Sequence, residues 1–287
     1  MKVILFLFFT FSISAQIKGV VIDENNKPIS FVNIWVEDES IGTTSQENGT
    51  FSIDISSEKT VVFSAVGFET KRMTISDKQK VVLKEAVFKL EEVVIEKSKQ
   101  TKELEIGGMK KIHHRQLSGD NPWIYAKRFN YDENYKATPF IKNIVFYSDS
   151  EIKNAKLKIR IFQLQDSLPA NDLIEEDIIV SVKKGMKKNV IDISKYKLKM
   201  PKNGVVIGLE WLIIAENYYE FKYQDSKKKR ITMPNYQPSL VVNYFEERNA
   251  FNYRGGKWYW SYITNTNGNH PWTNKIMTPA INLILTN

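Results

Sequence analysis

Gly19-x-Val21-x-Asp23, Pro28-Ile29-x-x-Val32-x-Ile34, Gly42-Thr43-Thr44, Asn48-Gly49-x-Phe51-x-Ile53 and Val66-Gly67-Phe68 pattern residues 18–68. Apolar side chains at alternate positions mark strands, and clusters of Gly, Pro, Asn and Asp mark the turns between them. Ile17, Val20, Val21 and Ile22 read as an opening strand, followed by the turn cluster Asp23-Glu24-Asn25-Asn26-Lys27-Pro28. Val32, Ile34 and Val36 alternate with Phe31, Asn33, Trp35 and Glu37. Both faces of that strand are partly apolar, which places it in the interior of a sandwich. Asn48-Gly49 has the sequence of a tight hairpin, because both residues tolerate positive φ. Phe51, Ile53 and Ile55, then Val61 to Phe63, Thr74-Ile75 and Val81 to Leu83 continue the series. Short strands spaced by turns predict an all-β sandwich.

These motifs resemble the carboxypeptidase-regulatory-like (transthyretin-like) domain found at the front of bacterial envelope proteins, over residues 16–97. The resemblance implies a seven-stranded β-sandwich in which Gly19, Pro28, Gly49 and Gly67 shape turns. It implies a scaffold without catalytic residues. Residues 90–95, Leu-Glu-Glu-Val-Val-Ile, resemble the strand that joins this domain to the plug of TonB-dependent receptors in Bacteroidetes-type envelopes. Fewer than 200 residues follow, too few for a 22-stranded receptor barrel. Two readings of that segment stand: a strand that pairs with an envelope partner, or the last strand of the sandwich leading into a linker.

Residues 1–15 carry Lys2, an apolar run from Val3 and the small residues Ser12, Ser14 and Ala15. This is the pattern of a signal peptide cleaved near Ala15, and the run is shorter than the ~20 residues of a membrane span. The expectation is an exported protein, periplasmic or secreted, with no transmembrane segment after cleavage. There are no cysteines, so neither a disulfide nor a lipidated cysteine is expected.

The net charge of +8 conceals an asymmetry. Residues 16–97 carry ten Lys/Arg against fourteen Asp/Glu, and residues 98–287 carry thirty against nineteen. Trp123, Trp211, Trp258, Trp260 and Trp272 all fall in the basic part. The basic surface is either a solvated exterior or attracts an anionic envelope glycan or envelope protein. Export argues against nucleic acid.

Residues 98–105 are polar and aperiodic and read as a linker. Residues 106–287 are rich in strand formers, with candidate strands at 140–147, 156–165, 177–183, 188–193, 205–215, 240–245 and 257–263. Leu157, Ile159 and Ile161 alternate with Lys158 and Arg160, the signature of a half-buried antiparallel strand. A larger, jelly-roll-like β-sandwich is expected. The strand order resembles jelly-roll modules of envelope and secreted proteins, some of them similar to carbohydrate-binding modules.

The candidate ligand site is Arg254, Trp258, Trp260 and Tyr262, joined by Trp272 from a downstream loop. On a strand, Trp258, Trp260 and Tyr262 share one face, where aromatic rings either stack on sugars or fill the core. Arg254 supplies a partner for a carboxylate or hydroxyl.

No catalytic residue, metal site or cofactor is expected. The histidines are His113, His114 and His270, without zinc-binding spacing. Asp23, Glu24 and Asp54 lack the dense oxygen-ligand loop of a calcium site. A glycoside hydrolase requires two suitably separated carboxylates. Glu210, between Leu209 and Trp211, is the acid to watch: either an acid raised by its apolar flank or a solvated residue on the outward face. The sequence therefore predicts an exported, non-enzymatic binding or adaptor protein for a glycan or protein ligand. The alternatives are an accessory of a TonB-dependent uptake system and a hydrolase.

Overall fold

A computed structural model describes residues 16–86, 100–110, 114–264 and 270–287. The first sandwich consists of β1 (Gln16–Ile22), β2 (Asn33–Val36), β3 (Gly42–Thr44), β4 (Thr50–Asp54), β5 (Lys59–Ser64), β6 (Lys71–Ile75) and β7 (Gln79–Val82). A three-stranded sheet, β4-β1-β7, faces a four-stranded sheet, β3-β2-β5-β6. Val21, Val32, Ile34, Phe51, Phe63 and Val81 fill the space between them, so the alternating residues of the motif are its core.

The Asn48-Gly49 turn is not a hairpin. β3 pairs with β2, whereas β4 pairs with β1 in the other sheet. The turn carries the chain across the sandwich, closed by Gly49 N–H donating to Gln46 O at 2.9 Å. Gly49 has φ +76°, and a Cβ there would lie 2.6 Å from Val21 O. Both facts require glycine, but the turn sequence alone does not say which strand comes next in the ladder.

The second sandwich contains β8 (Glu103–Ile106), β9 (Arg115–Gln116), β10 (Ile124–Phe129), β11 (Phe140–Ser150), β12 (Ala155–Gln165), β13 (Leu168–Asp172), β14 (Ile178–Val182) and β15 (Gly185–Asp192). It continues with β16 (Val205–Trp211), β17 (Tyr218–Gln224), β18 (Arg230–Tyr236), β19 (Ser239–Phe245), β20 (Ala250–Arg254), β21 (Lys257–Trp260), β22 (Ile276–Pro279) and β23 (Ile281–Thr286). One sheet runs β13-β12-β16-β10-β20-β21, with β14 also on β12. The other runs β22-β19-β11-β23-β8, with β15 on β11 and β9 on β19. The chain crosses between sheets at β9–β10, β10–β11, β11–β12, β14–β15, β15–β16, β19–β20 and β21–β22, and from β16 to β19 by way of β17 and β18, the crossing pattern of a jelly-roll-like sandwich. Tyr125, Phe146, Ile159, Ile207, Trp211 and Leu283 pack between the sheets. β17 and β18 form a separate two-stranded sheet.

The second sandwich begins earlier than the polar, aperiodic stretch at 98–105 suggests. Gln100 N–H donates to Asn287 O at 2.7 Å, and Leu104 pairs with Leu285 in the β8–β23 ladder. Residues 100–105, expected as linker, therefore belong to the sandwich edge. Residues 90–95, read either as a partner-pairing strand or as the last strand of the first sandwich, lie outside the described residues.

The two sandwiches pack together. Along β12 and β16, Leu157, Ile159, Leu209 and Trp211 face the inner core, so Lys158, Arg160 and Glu210 face the opposite side. That side is not solvated. The first sandwich covers it, leaving Lys158 and Glu210 each 1% exposed. The expected half-buried strand is thus buried on both faces. Phe31 packs on Leu212 and Ile214, and Lys158 Nζ donates to Phe31 O at 2.8 Å. Ile213 N–H donates to Thr44 Oγ1 at 3.0 Å. Gly67, with φ +81°, stands where a Cβ would lie 2.9 Å from Glu175 O of the second sandwich. The motif glycine serves the docking as well as its own turn.

Candidate functional site: a groove between the two sandwiches

Where the sandwiches meet, they leave a cleft of about 550 Å3, within the size range of small-molecule sites. The segment after β2 forms one wall, with Asp38, Glu39 and Gly42. The loop before β10 forms the floor, and the β17–β18 and β20–β21 hairpins form the far wall. The floor loop is fixed at both ends. Asn121 Oδ1 accepts from Gly42 N–H at 3.0 Å. Ser118 Oγ accepts from Tyr236 N–H at 2.9 Å and donates to Asn235 Oδ1 at 2.8 Å. Trp123 stacks on Trp211 with centroids 4.3 Å apart and donates from Nε1 to Ser118 O at 2.6 Å.

A second cleft of about 510 Å3, lined by His114, Tyr244 and Trp272, adjoins the first. Leu117 and Phe221 line both. Tyr262 lines the first cleft and Tyr244 the second; burial, with Tyr262 adding to it, raises the Tyr244 phenol above its ordinary value. His270 stacks on Trp272 at 4.9 Å, and His114 meets the same ring edge-on at 4.6 Å. The two clefts form one elongated groove.

The five expected site residues divide between this groove and the packed interior. Arg254 and Tyr262 line the first cleft and Trp272 the second. Trp258 and Trp260 line neither. Trp258 packs edge-on against Phe162 at 5.1 Å, and Trp260 lies over Phe251 at 4.2 Å. Both are half-buried on the apolar cluster under the first sandwich, and Trp258 lines a smaller crevice there with Arg160 and Tyr253. The aromatic that faces the cleft from β21 is Tyr259, the residue between them. The guanidinium of Arg254 sits 5.6 Å over its ring. Tyr262 lies beyond the end of β21, so strand alternation no longer ties it to the two tryptophans.

Nothing in the sequence pattern marks Trp35, Asp120, Trp123 or Asn235 as groove residues. The turn cluster Ser118-Gly119-Asp120-Asn121-Pro122 is the one local signal of a loop able to floor a site. Asn235 and Trp35 carry the most information. Asn235 is 2% exposed; its Oδ1 is satisfied, but its Nδ2 has no partner among the described residues. Trp35 Nε1 is also buried without a partner among the described residues. Such orphaned donors are uncommon in folded proteins, and both residues line the first cleft.

Glu210, the acid singled out from sequence, is not in the groove. Its Oε1 accepts from Asn33 Nδ2 at 2.8 Å, and its Oε2 lies 3.7 Å from Arg160 Nη1. Arg160 also holds Asp172, through Nε to Oδ1 at 2.9 Å and through a second, shorter bond. Lys158 pairs with Asp177 at 2.9 Å. Burial pushes the Glu210 carboxyl up, against the opposing pull of Lys158 and Arg160. Burial alone would lower the Arg160 guanidinium, but Asp172 outweighs it and holds the group above its ordinary value. These five charges are a docking network between the sandwiches. Glu210 is neither solvated nor placed to meet a ligand.

Asp23 accepts from the N–H groups of Asn25 and Lys27, as a turn acid does. No cluster of three His, Asp or Glu side chains able to hold a metal ion occurs among the described residues. His113 lies outside them. No helix among the described residues is long and apolar enough to cross a membrane.

Residues 17–95 match the model of the CarboxypepD_reg-like domain family. The match covers the first sandwich and ends before the floor and far wall of the groove. No curated protein matches the chain in sequence.

Proposed function

We propose that this protein binds a glycan in the groove between its two sandwiches and carries out no reaction on it. The observation that carries this reading is a cleft edged by the exposed rings of Tyr259 and Tyr262, with Arg254 beside them. Sugars supply the matching chemistry. Their oxygens accept hydrogen bonds, and their C–H faces pack on rings such as Tyr259 and the 58% exposed Tyr262. Arg254 on the cleft wall and Asp120 on its floor add a charged donor and an acceptor.

Binding is favoured over hydrolysis by where the acids lie. Hydrolysis calls for two facing carboxylates, one kept protonated. Asp38 is held by Lys257 and Glu39 by Lys59, both at 2.6 Å, Glu210 lies in the docking network, and the remaining acids are divided between the clefts, Asp120 in the first and Glu151 in the second. The first sandwich then serves as a scaffold that also forms one wall of the site. Export to the periplasm or cell exterior, as an envelope protein, rests on the sequence of residues 1–15.

The test is titration of the full chain with a glycan panel by calorimetry. Tyr259→Ala and Tyr262→Ala should each weaken binding while leaving the unfolding temperature near that of the parent. Trp258→Ala should lower stability instead. Binding unaffected by the two tyrosines would overturn the site.

A further inference from the structure

The β17–β18 hairpin is amphipathic, and its register shows how. Cross-strand pairs run Tyr219 with Asn235, Phe221 with Met233 and Tyr223 with Ile231. Paired residues share a face, and the strand period is two. Tyr219, Phe221, Tyr223, Ile231 and Met233 therefore share one face, while Glu220, Lys222, Gln224, Arg230 and Thr232 share the other. Two-stranded sheets are marginal in water on their own. Among the described residues it pairs with no other strand, and Tyr223 and Met233 on its apolar face are 39% and 45% exposed.

The apolar face is turned toward the groove. Phe221, Met233 and Asn235 line the first cleft, and the Tyr223 ring continues from Phe221 at 5.9 Å. The apolar track thus leads out of the groove toward the hairpin turn. That turn carries Lys227, Lys228, Lys229 and Arg230, all exposed. Its one acid, Asp225, is occupied by the backbone N–H groups of Lys227 and Lys229, at 2.9 Å each. Glu220 pairs with Lys222 at 3.1 Å. No ion pair among the described residues neutralises the four cations at the turn.

We infer that the hairpin is an arm that extends the groove and selects an acidic polysaccharide, with uronate or sulfate groups facing the Lys227–Arg230 turn. This rests on the groove being a glycan site and names the class of glycan. Four exposed cations at the end of an aromatic track complement a chain that is anionic at regular intervals. Arg254, exposed on the first cleft, suits the same ligand, whose carboxylate and hydroxyl oxygens accept. An anionic membrane is the less favoured occupant. The face that would enter lipid is turned into the groove, and the turn that projects is polar.

The experiment measures binding of the full chain to polygalacturonate, alginate and heparin, and to fully methyl-esterified polygalacturonate as the uncharged control. A quadruple variant, Lys227→Gln, Lys228→Gln, Lys229→Gln and Arg230→Gln, is measured alongside; its exposed positions leave the unfolding temperature unchanged. The expected result is binding of at least one anionic polymer, weakened by salt and reduced about tenfold or more in the variant, with the esterified control bound weakly. Equal binding of charged and esterified polymers, unchanged in the variant, overturns the role of the arm but leaves the groove as a glycan site. No binding of any glycan overturns both. Loss in the variant of binding to anionic phospholipid vesicles or polyaspartate, with no polysaccharide bound, overturns the inference in favour of those partners.

Discussion

Asn33 Nδ2, on the second strand of the first sandwich, donates to Oε1 of Glu210, on the sixteenth strand of the chain, at 2.8 Å. The two residues lie 177 positions apart, and their bond crosses the surface where the sandwiches dock. Around it, Lys158 and Arg160 face Asp172, Asp177 and Glu210. One carboxylate exceeds the number of cations, and Glu210 is the most deeply buried of the three.

Arg160→Met should be the most damaging change in this network. It leaves Asp172 without the guanidinium that holds it and takes from Glu210 one of the two cations that oppose its burial, at a largely buried site. Removing one partner of a buried pair costs about 3–5 kcal/mol. Chemical denaturation should show that loss, or an early transition in which the sandwiches separate first.

Glu210→Gln should behave in the opposite way. The glutamine keeps the oxygen that accepts from Asn33 and removes the surplus charge. Burial raises the folded pKa of Glu210 above its ordinary value of 4.5, so the folded state holds this proton more tightly than the unfolded one. Stability from this group is full below pH 4.5 and falls as pH rises through the folded value. The variant should therefore match or exceed the parent at neutral pH, with the difference shrinking on acidification. Melting temperatures of both proteins across that range test the sign.

Lys127 predicts a second pH effect. It is 2% exposed and points into the second sandwich, donating to Gly107 O and Ile281 O at 2.5 and 2.9 Å. Burial lowers its pKa from 10.5 to about 7. Between those values the unfolded chain binds a proton that the folded chain does not, so stability should rise with pH across the window. In Lys127→Met that rise should disappear; an unchanged slope would mean that the ammonium stays charged when folded.

Gly67→Ala tests the docking contact. The residue would have to keep φ at +81° and place a Cβ 2.9 Å from Glu175 O. A loss of about 2 kcal/mol is expected, read by thermal unfolding.

Trp258→Ala should separate packing from binding. The ring lies between Phe162, Phe251 and Tyr253 and does not line the groove. Removal of this half-buried ring should cost about 2 kcal/mol, short of the ~3–5 for a fully buried one. Glycan affinity, measured well below the melting temperature, should change little.

The strands that sequence reading recovers are those whose apolar residues alternate over many positions. β11, β12, β14, β15, β16, β19 and β21 all overlap candidates drawn from the pattern. β10 escapes because Lys127 and Arg128 in Ile-Tyr-Ala-Lys-Arg-Phe read as solvated, whereas Lys127 is buried through two carbonyl acceptors that lie far away in sequence. β17 and β18 escape because charges at Lys222 and Arg230 interrupt the apolar series. Their amphipathic character emerges only once the register pairs Phe221 with Met233.

The sequence by itself determined the local quantities: alternating strands, turn positions, two modules of opposite charge, and the regulatory-like motif of the first. Each depends on residues close together in the chain, so a periodic pattern records it. The tertiary structure alone decided which side of each strand is covered, and by what. Docking buried Lys158, Arg160 and Glu210 on a face whose pattern reads as solvent-exposed. It also packed Trp258 and Trp260 inward and left Tyr259 facing the cleft. A strand's alternation separates two faces but does not label them; only the arrival of a second sandwich does.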